Sequence, residues 1–156
     1  MAELAPGSPV PAFTLASTAG EPFHLRDARG EALVLYFYPK DATPGCTTES
    51  EAFRDLHGKF RRLGVQVLGI SRDSIASHEK FRAKYKLPFH LLSDEDEKVC
   101  KLFDVIREKN MYGRKMMGVE RSTFLIDAKG VLRQQWRKVK VAGHAEEVLE
   151  AARSID

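Results

Sequence analysis

The sequence predicts an α/β domain, a mixed central sheet flanked by helices and preceded by a small β-hairpin. Three observations carry this expectation. "EALVLYFYP" (Glu31 to Pro39) is a continuous apolar and aromatic run, the pattern of a strand buried on both faces. Phe53, Leu56, Phe60 and Leu63 then recur at helical spacing. "VQVLGI" (Val65 to Ile70) begins the alternation again, and two strand-helix units in succession require parallel strands joined by crossovers.

The elements follow in order. "AFTLASTAGEPFHL" holds two short alternating runs around Ala19-Gly20 and reads as the leading hairpin. Pro39 lacks a backbone donor and so ends the first long strand. The helix after it is closed by Arg61 and Arg62 in its last turn and by Gly64 just beyond. After "VQVLGI", Asp73 or Ser74 caps a helix carrying Phe81 and Tyr85, which Leu87-Pro88 terminates. "FHLLSDEDEKVCKLFDV" supplies a short strand and a helix, capped by Ser93 or Asp94, with Val99, Leu102 and Phe103 inward. "REKNMYGRKMMGVER" (Arg107 to Arg121) reads as a loop and strand entry. "STFLIDAKGVLRQQW" turns at Asp127-Ala128-Lys129-Gly130 as a second hairpin, and a last helix from about Gly143 turns Val148, Leu149 and Ala152 to one face.

At 156 residues the chain fits a single domain, 1–156, with enough length to bury a core without disulfide or metal staples. Lys and Arg exceed Asp and Glu by only three, which is no nucleic-acid footprint. No segment approaches membrane-spanning length, and "MAELAPGSPVPAF" lacks the basic and apolar regions of a signal peptide. Cys46 and Cys100 cannot build a disulfide framework, so the expected compartment is the reducing cytoplasm. His24, His57, His78, His90 and His144 form no ligand spacing with either cysteine, and there is no glycine-rich phosphate loop. Neither a metal nor another cofactor is expected.

The candidate site is "FYPKDATPGCTTESEAF", Phe37 to Phe53, where a strand stops at a proline and a turn delivers Cys46 to a helix start. Unpaired backbone N–H groups and the positive end of the helix dipole favour a thiolate there, and the thiolate is the reactive form of cysteine. Two starts fit the residues. Thr43 is the N-cap with Pro44 at N1, or Thr48 and Glu51 form a capping box and Cys46 lies just before it.

Pro39, Thr43 and Cys46 in "PKDATPGC" match the Pro-x-x-x-Thr/Ser-x-x-Cys signature of peroxiredoxins. "FYPKDATPGCTTE" resembles the bacterioferritin comigratory protein, or Q-type, branch. "AFTL", "LLSDEDEKV", "MYGRKMMGVERSTFLID" and "KVKVAGHAEEVL" extend the resemblance over nearly the whole chain. It implies a thioredoxin-like fold and a thiol peroxidase that reduces hydrogen peroxide or organic hydroperoxides. By the same resemblance Cys46 attacks the peroxide, and Thr43 with the backbone N–H groups of Gly45 and Cys46 binds it. Pro39 shields the sulfur, Arg121 reaches the thiolate and Glu49 orients that arginine. Members of the branch are often monomers.

The resemblance breaks at the resolving cysteine. The position five residues after Cys46 is Glu51, and "KFRAKY" (Lys80 to Tyr85), the other region used, contains no cysteine. Cys100 is either a buried core residue or a partner that Cys46 reaches through local unfolding. The expected cycle uses one cysteine, with a thiol from glutathione, glutaredoxin or thioredoxin attacking the sulfenic acid. A disulfide reductase is disfavoured because Glu49 stands where Cys-x-x-Cys needs its second thiol. A binding or holdase protein draws its best support from the basic, Met-rich Arg107 to Arg121.

Overall fold

The computed structural model describes residues 4–155. Seven strands form one mixed sheet in the order β2-β1-β5-β4-β3-β8-β9. Beside the central strand β4 (Val65–Ser71) runs β3 (Ala32–Phe37), parallel to β4 on one side and antiparallel to β8 (Ser122–Ile126) on the other. Parallel β5 (Leu91–Ser93) adds to β4, and β9 (Leu132–Trp136) closes the far edge against β8. The leading hairpin, β1 (Thr14–Ser17) with β2 (Phe23–His24), joins through β5.

Alternating residues of β3 serve two separate cores, which is why the strand is apolar throughout. Val34, Tyr36 and Tyr38 point to one, where α1 (Pro44–Arg62), α2 (Ile75–Tyr85) and α4 (His144–Arg153) supply Phe53, Phe60, Phe81 and Val148. Leu33, Leu35 and Phe37 point to the other, which α3 (Lys98–Leu102) covers with Val99 and Cys100. Gly69 in β4 is required by close approach. A Cβ there would sit 2.8 Å from the Tyr36 ring and from Leu91.

Several boundaries differ from expectation. Leu63 ends α1 and is exposed, because Gly64 with its positive φ turns the chain away before Leu63 can join the stripe. Ser74 caps α2, and its side chain accepts the Ser77 N–H. At α3 the cap residue is Glu97, while Asp94 serves from further back by accepting the N–H groups of Val99 and Cys100. The largest correction concerns Arg107 to Arg121. It is a two-stranded hairpin, β6 (Ile106–Met111) with β7 (Arg114–Val119), and forms a sheet of its own. Its strands are polar and charged rather than alternating, so no period-2 signal announces them. Among the described residues no helix is long and apolar enough to cross a membrane.

Candidate active site

Helix α1 begins at Pro44 with Thr43 as N-cap, so Cys46 occupies the third helical position, inside the first turn. Thr48 lies within the helix and donates to the Pro44 carbonyl, which excludes the later start. The approach to the helix is tightly held. Asp41 is buried and accepts hydrogen bonds from the Tyr38 hydroxyl at 2.5 Å and the Ser77 hydroxyl at 2.8 Å. His78 Nδ1 lies 2.7 Å from the same carboxylate, and its Nε2 lies 2.9 Å from the Leu92 carbonyl. The carbonyl can only accept, so Nε2 donates to it and Nδ1 faces Asp41. The Asp41 N–H in turn donates to Asp73.

This network pins the loop from Tyr38 to Thr43 onto α2, and was not read from the sequence. One signal was available, since His78 stands midway between Ile75 and Phe81 on the inward stripe of α2. Asp41, Asp73 and His78 bring ligand atoms within 4.8 Å of one another, a grouping that matches a cation site in spacing, although hydrogen bonds already occupy those of Asp41 and His78.

Strand register supplies the second half of the site. Ser122 pairs with Phe37, so Arg121, one residue earlier, lies beside the end of β3 where the loop to Cys46 departs. Arg121 Nη2 donates toward Cys46 Sγ at 3.4 Å and Nη1 donates to Glu49 Oε1 at 2.6 Å. Glu49 stands three residues after Cys46 on the same face of α1, and both side chains are almost wholly buried. Gly45 makes room for the guanidinium, since a Cβ there would lie 3.1 Å from Arg121 Nη2. Thr43 donates its hydroxyl proton to the Lys40 carbonyl at 2.8 Å, which leaves its oxygen free to accept a proton donor. Pro39 is half-buried between Tyr38 and this turn. Of the expected residues, Gly45, Cys46, Glu49 and Arg121 are brought into contact, Pro39 and Thr43 lie in the turn that leads into α1, and Cys100 stands apart.

Cys100 belongs to the core on the opposite face of the sheet from Cys46. Burial, together with the adjacent Asp94 carboxylate, pushes its thiol far above the ordinary cysteine range. A sulfur in that state is a poor nucleophile.

The chain matches the AhpC/TSA family over residues 6–135. Peroxiredoxin Bcp of Xanthomonas campestris is 53% identical over 140 residues, which are 90% of this chain and 88% of that protein. The chain belongs to the peroxiredoxins of the AhpC/TSA family. A structure of the Xanthomonas campestris bacterioferritin comigratory protein, described for its alkyl peroxide reduction activity, superposes with a TM-score of 0.87 at 51% identity. It covers 91% of this chain and 90% of that one. A peroxiredoxin Q mutant from Xylella fastidiosa reaches a TM-score of 0.92 at 43% identity, covering 99% and 98%. The fold is therefore thioredoxin-like, and the peroxiredoxin is by family a thiol peroxidase.

In this peroxiredoxin one guanidinium faces two acidic groups. Burial drives the Glu49 pKa from 4.5 to about 7 against the opposing pull of Arg121, and Glu49 Oε2 has no hydrogen-bond partner. A carboxyl whose folded pKa is raised contributes stability that is complete below its unfolded value and is lost as pH rises through the folded one. The window here is 4.5 to about 7, and the shift is worth on the order of 3 kcal/mol. Glu49→Gln keeps an oxygen for Arg121 but cannot ionise. The parent's Tm is expected to decline across this window and that of the variant to lose the decline, and parallel Tm curves for the two proteins would contradict the assignment.

Proposed function

We propose that this peroxiredoxin reduces hydrogen peroxide and organic hydroperoxides through Cys46 in a one-cysteine cycle, as a cytoplasmic monomeric domain. The observation that carries the reading is the guanidinium of Arg121, held by Glu49 and aimed at Cys46 Sγ. The thiolate attacks one peroxide oxygen, the O–O bond breaks, and the sulfur becomes a sulfenic acid. A proton from solvent completes the departing water or alcohol. Negative charge moves from sulfur to oxygen during this step, and fixed donors placed along that path lower its barrier. Arg121 spans sulfur and oxygen with one rigid fork. The Thr43 oxygen accepts the peroxide O–H, the backbone N–H groups of Gly45 and Cys46 hold the other oxygen, and Pro39 limits water. The alkyl peroxide activity described for the Xanthomonas campestris relative supports the substrate class.

Resolution by an external thiol is supported by the placement of Cys100 across the sheet. A first thiol attacks the sulfenic acid, releases water and leaves a mixed disulfide. A second thiol releases Cys46 and departs as the oxidised disulfide of the reductant. The test is intact mass after one equivalent of hydrogen peroxide. A gain of one oxygen that needs Cys46 but not Cys100 is expected. A loss of two hydrogens that needs both cysteines would make Cys100 the resolving residue, and an unchanged mass would refute the peroxidase assignment to Cys46.

A further inference from the structure

Residues 107–121 contain five Lys or Arg and two Glu, a surplus of three. The whole chain carries a net charge of +3, so the rest of the sequence is balanced and the excess resides in this one segment. All of them except Glu120 and Arg121 lie in the β6–β7 hairpin, which keeps four Lys or Arg against one Glu, the same surplus of three, and stands apart from the main sheet. Tyr112 at its tip is 100% exposed, and Met116 and Met117 are 52% and 56% exposed. Of the four exposed large apolar side chains among the described residues, only Leu63 lies elsewhere. A monomer stabilises itself by burying such groups, so a strip that gathers them beside cations is shaped for contact.

The base of the hairpin is tied to the active site. Lys109 donates to the Val119 carbonyl at 2.7 Å, and its ammonium lies within the electrostatic reach of Cys46 and Arg121. Arg72 donates to the Met117 carbonyl at 3.4 Å, and the Glu120 N–H donates to the Val105 carbonyl at 2.7 Å. Two residues beyond β7 comes Arg121 itself.

We propose that the β6–β7 hairpin is the docking strip for an acidic protein that delivers the resolving thiol. The proposal rests on the one-cysteine cycle, which needs an external thiol. Length decides between a protein and a small thiol. From Arg121 back to Arg114 is seven residues, and at roughly 3.3 Å per residue the tip lies on the order of 20 Å from the guanidinium. A tripeptide thiol that reaches Cys46 cannot also cover Tyr112, whereas a protein surface spans both. Charge decides the kind of protein, because acids around its thiol complement the surplus and speed encounter. The methionines and the tyrosine then supply adaptable apolar contact.

The test compares the parent with an Arg114→Glu/Lys115→Glu variant and a Tyr112→Ala/Met117→Ala variant, with an acidic thioredoxin or glutathione as reductant. For thioredoxin the KM is expected to rise about tenfold or more in both variants at low ionic strength. The parent's advantage shrinks at about 0.5 M salt. Oxidation of Cys46 by peroxide and turnover with glutathione stay unchanged. A thioredoxin KM within twofold of the parent, or an equal loss with glutathione, would overturn the docking assignment. Equilibrium binding of the thioredoxin to the same three proteins needs no turnover. Weaker binding to the variants supports the strip and equal binding refutes it, even where a disulfide between Cys46 and Cys100 has overturned the one-cysteine cycle.

Discussion

Peroxide turnover is expected to fall on the order of 10⁴-fold or more in Cys46→Ser, while Cys100→Ser keeps its rate within a factor of about three. Serine in place of Cys46 retains the position in the first turn of α1 and the donor at Arg121, so binding geometry survives and only the nucleophile is lost. Cys100 packs with Val99 and Phe103 on the far face of the sheet, so its replacement changes packing and not the reacting atoms. Steady-state peroxide consumption with glutathione as reductant measures both. A comparable loss in Cys100→Ser, with its folding intact by circular dichroism, would show that the second sulfur takes part in the cycle.

The second large effect belongs to Arg121. Methionine has similar length and no charge, so Arg121→Met leaves Cys46 without its donor and Glu49 without its cation. Loss of one fixed donor aimed at developing charge typically costs about 10²- to 10³-fold in kcat. Removing one partner of a buried pair also destabilises, typically by about 3 to 5 kcal/mol. The pH sense of that destabilisation follows from Glu49. Its raised pKa reflects burial only partly offset by Arg121, and without the cation the neutral carboxyl is favoured still further. The stability deficit of Arg121→Met is therefore expected to be small near pH 5 and to grow toward pH 8. Unfolding by urea at the two pH values checks this, and a deficit independent of pH would show that Glu49 does not titrate against Arg121. Arg121→Lys should recover part of the stability and little of the rate, because an ammonium cannot donate to Glu49 and Cys46 in one plane.

Two kinds of residue were legible before any coordinates. Apolar periodicity marked β3, α1, β4 and α4, because burial against a sheet imposes a pattern on consecutive residues. The turn "PKDATPGC" marked Cys46, because Pro44 at N1 and a threonine before it form a local device for starting a helix. The resemblance extended this to Thr43, Glu49 and Arg121. The β6–β7 hairpin was missed, since its stability comes from a base anchored by Lys109, Arg72 and Glu120 and not from an alternating face. The role of Asp41 and His78 was missed for a related reason. Each is an ordinary polar residue in its own segment, and 37 positions separate them.

The sequence by itself determined the strand-helix alternation around β3 and β4, the placement of Cys46 at or just before a helix start, and the absence of a cysteine at the usual resolving positions, all matters of local chain chemistry. The tertiary structure decided which face of the sheet each cysteine occupies, since alternate residues of β3 feed different cores and nothing in the spacing of Cys46 and Cys100 reveals the sheet between them. It also decided that Arg121 reaches Cys46, through the pairing of Ser122 with Phe37, because a strand register is set by contacts between segments and is invisible within either one.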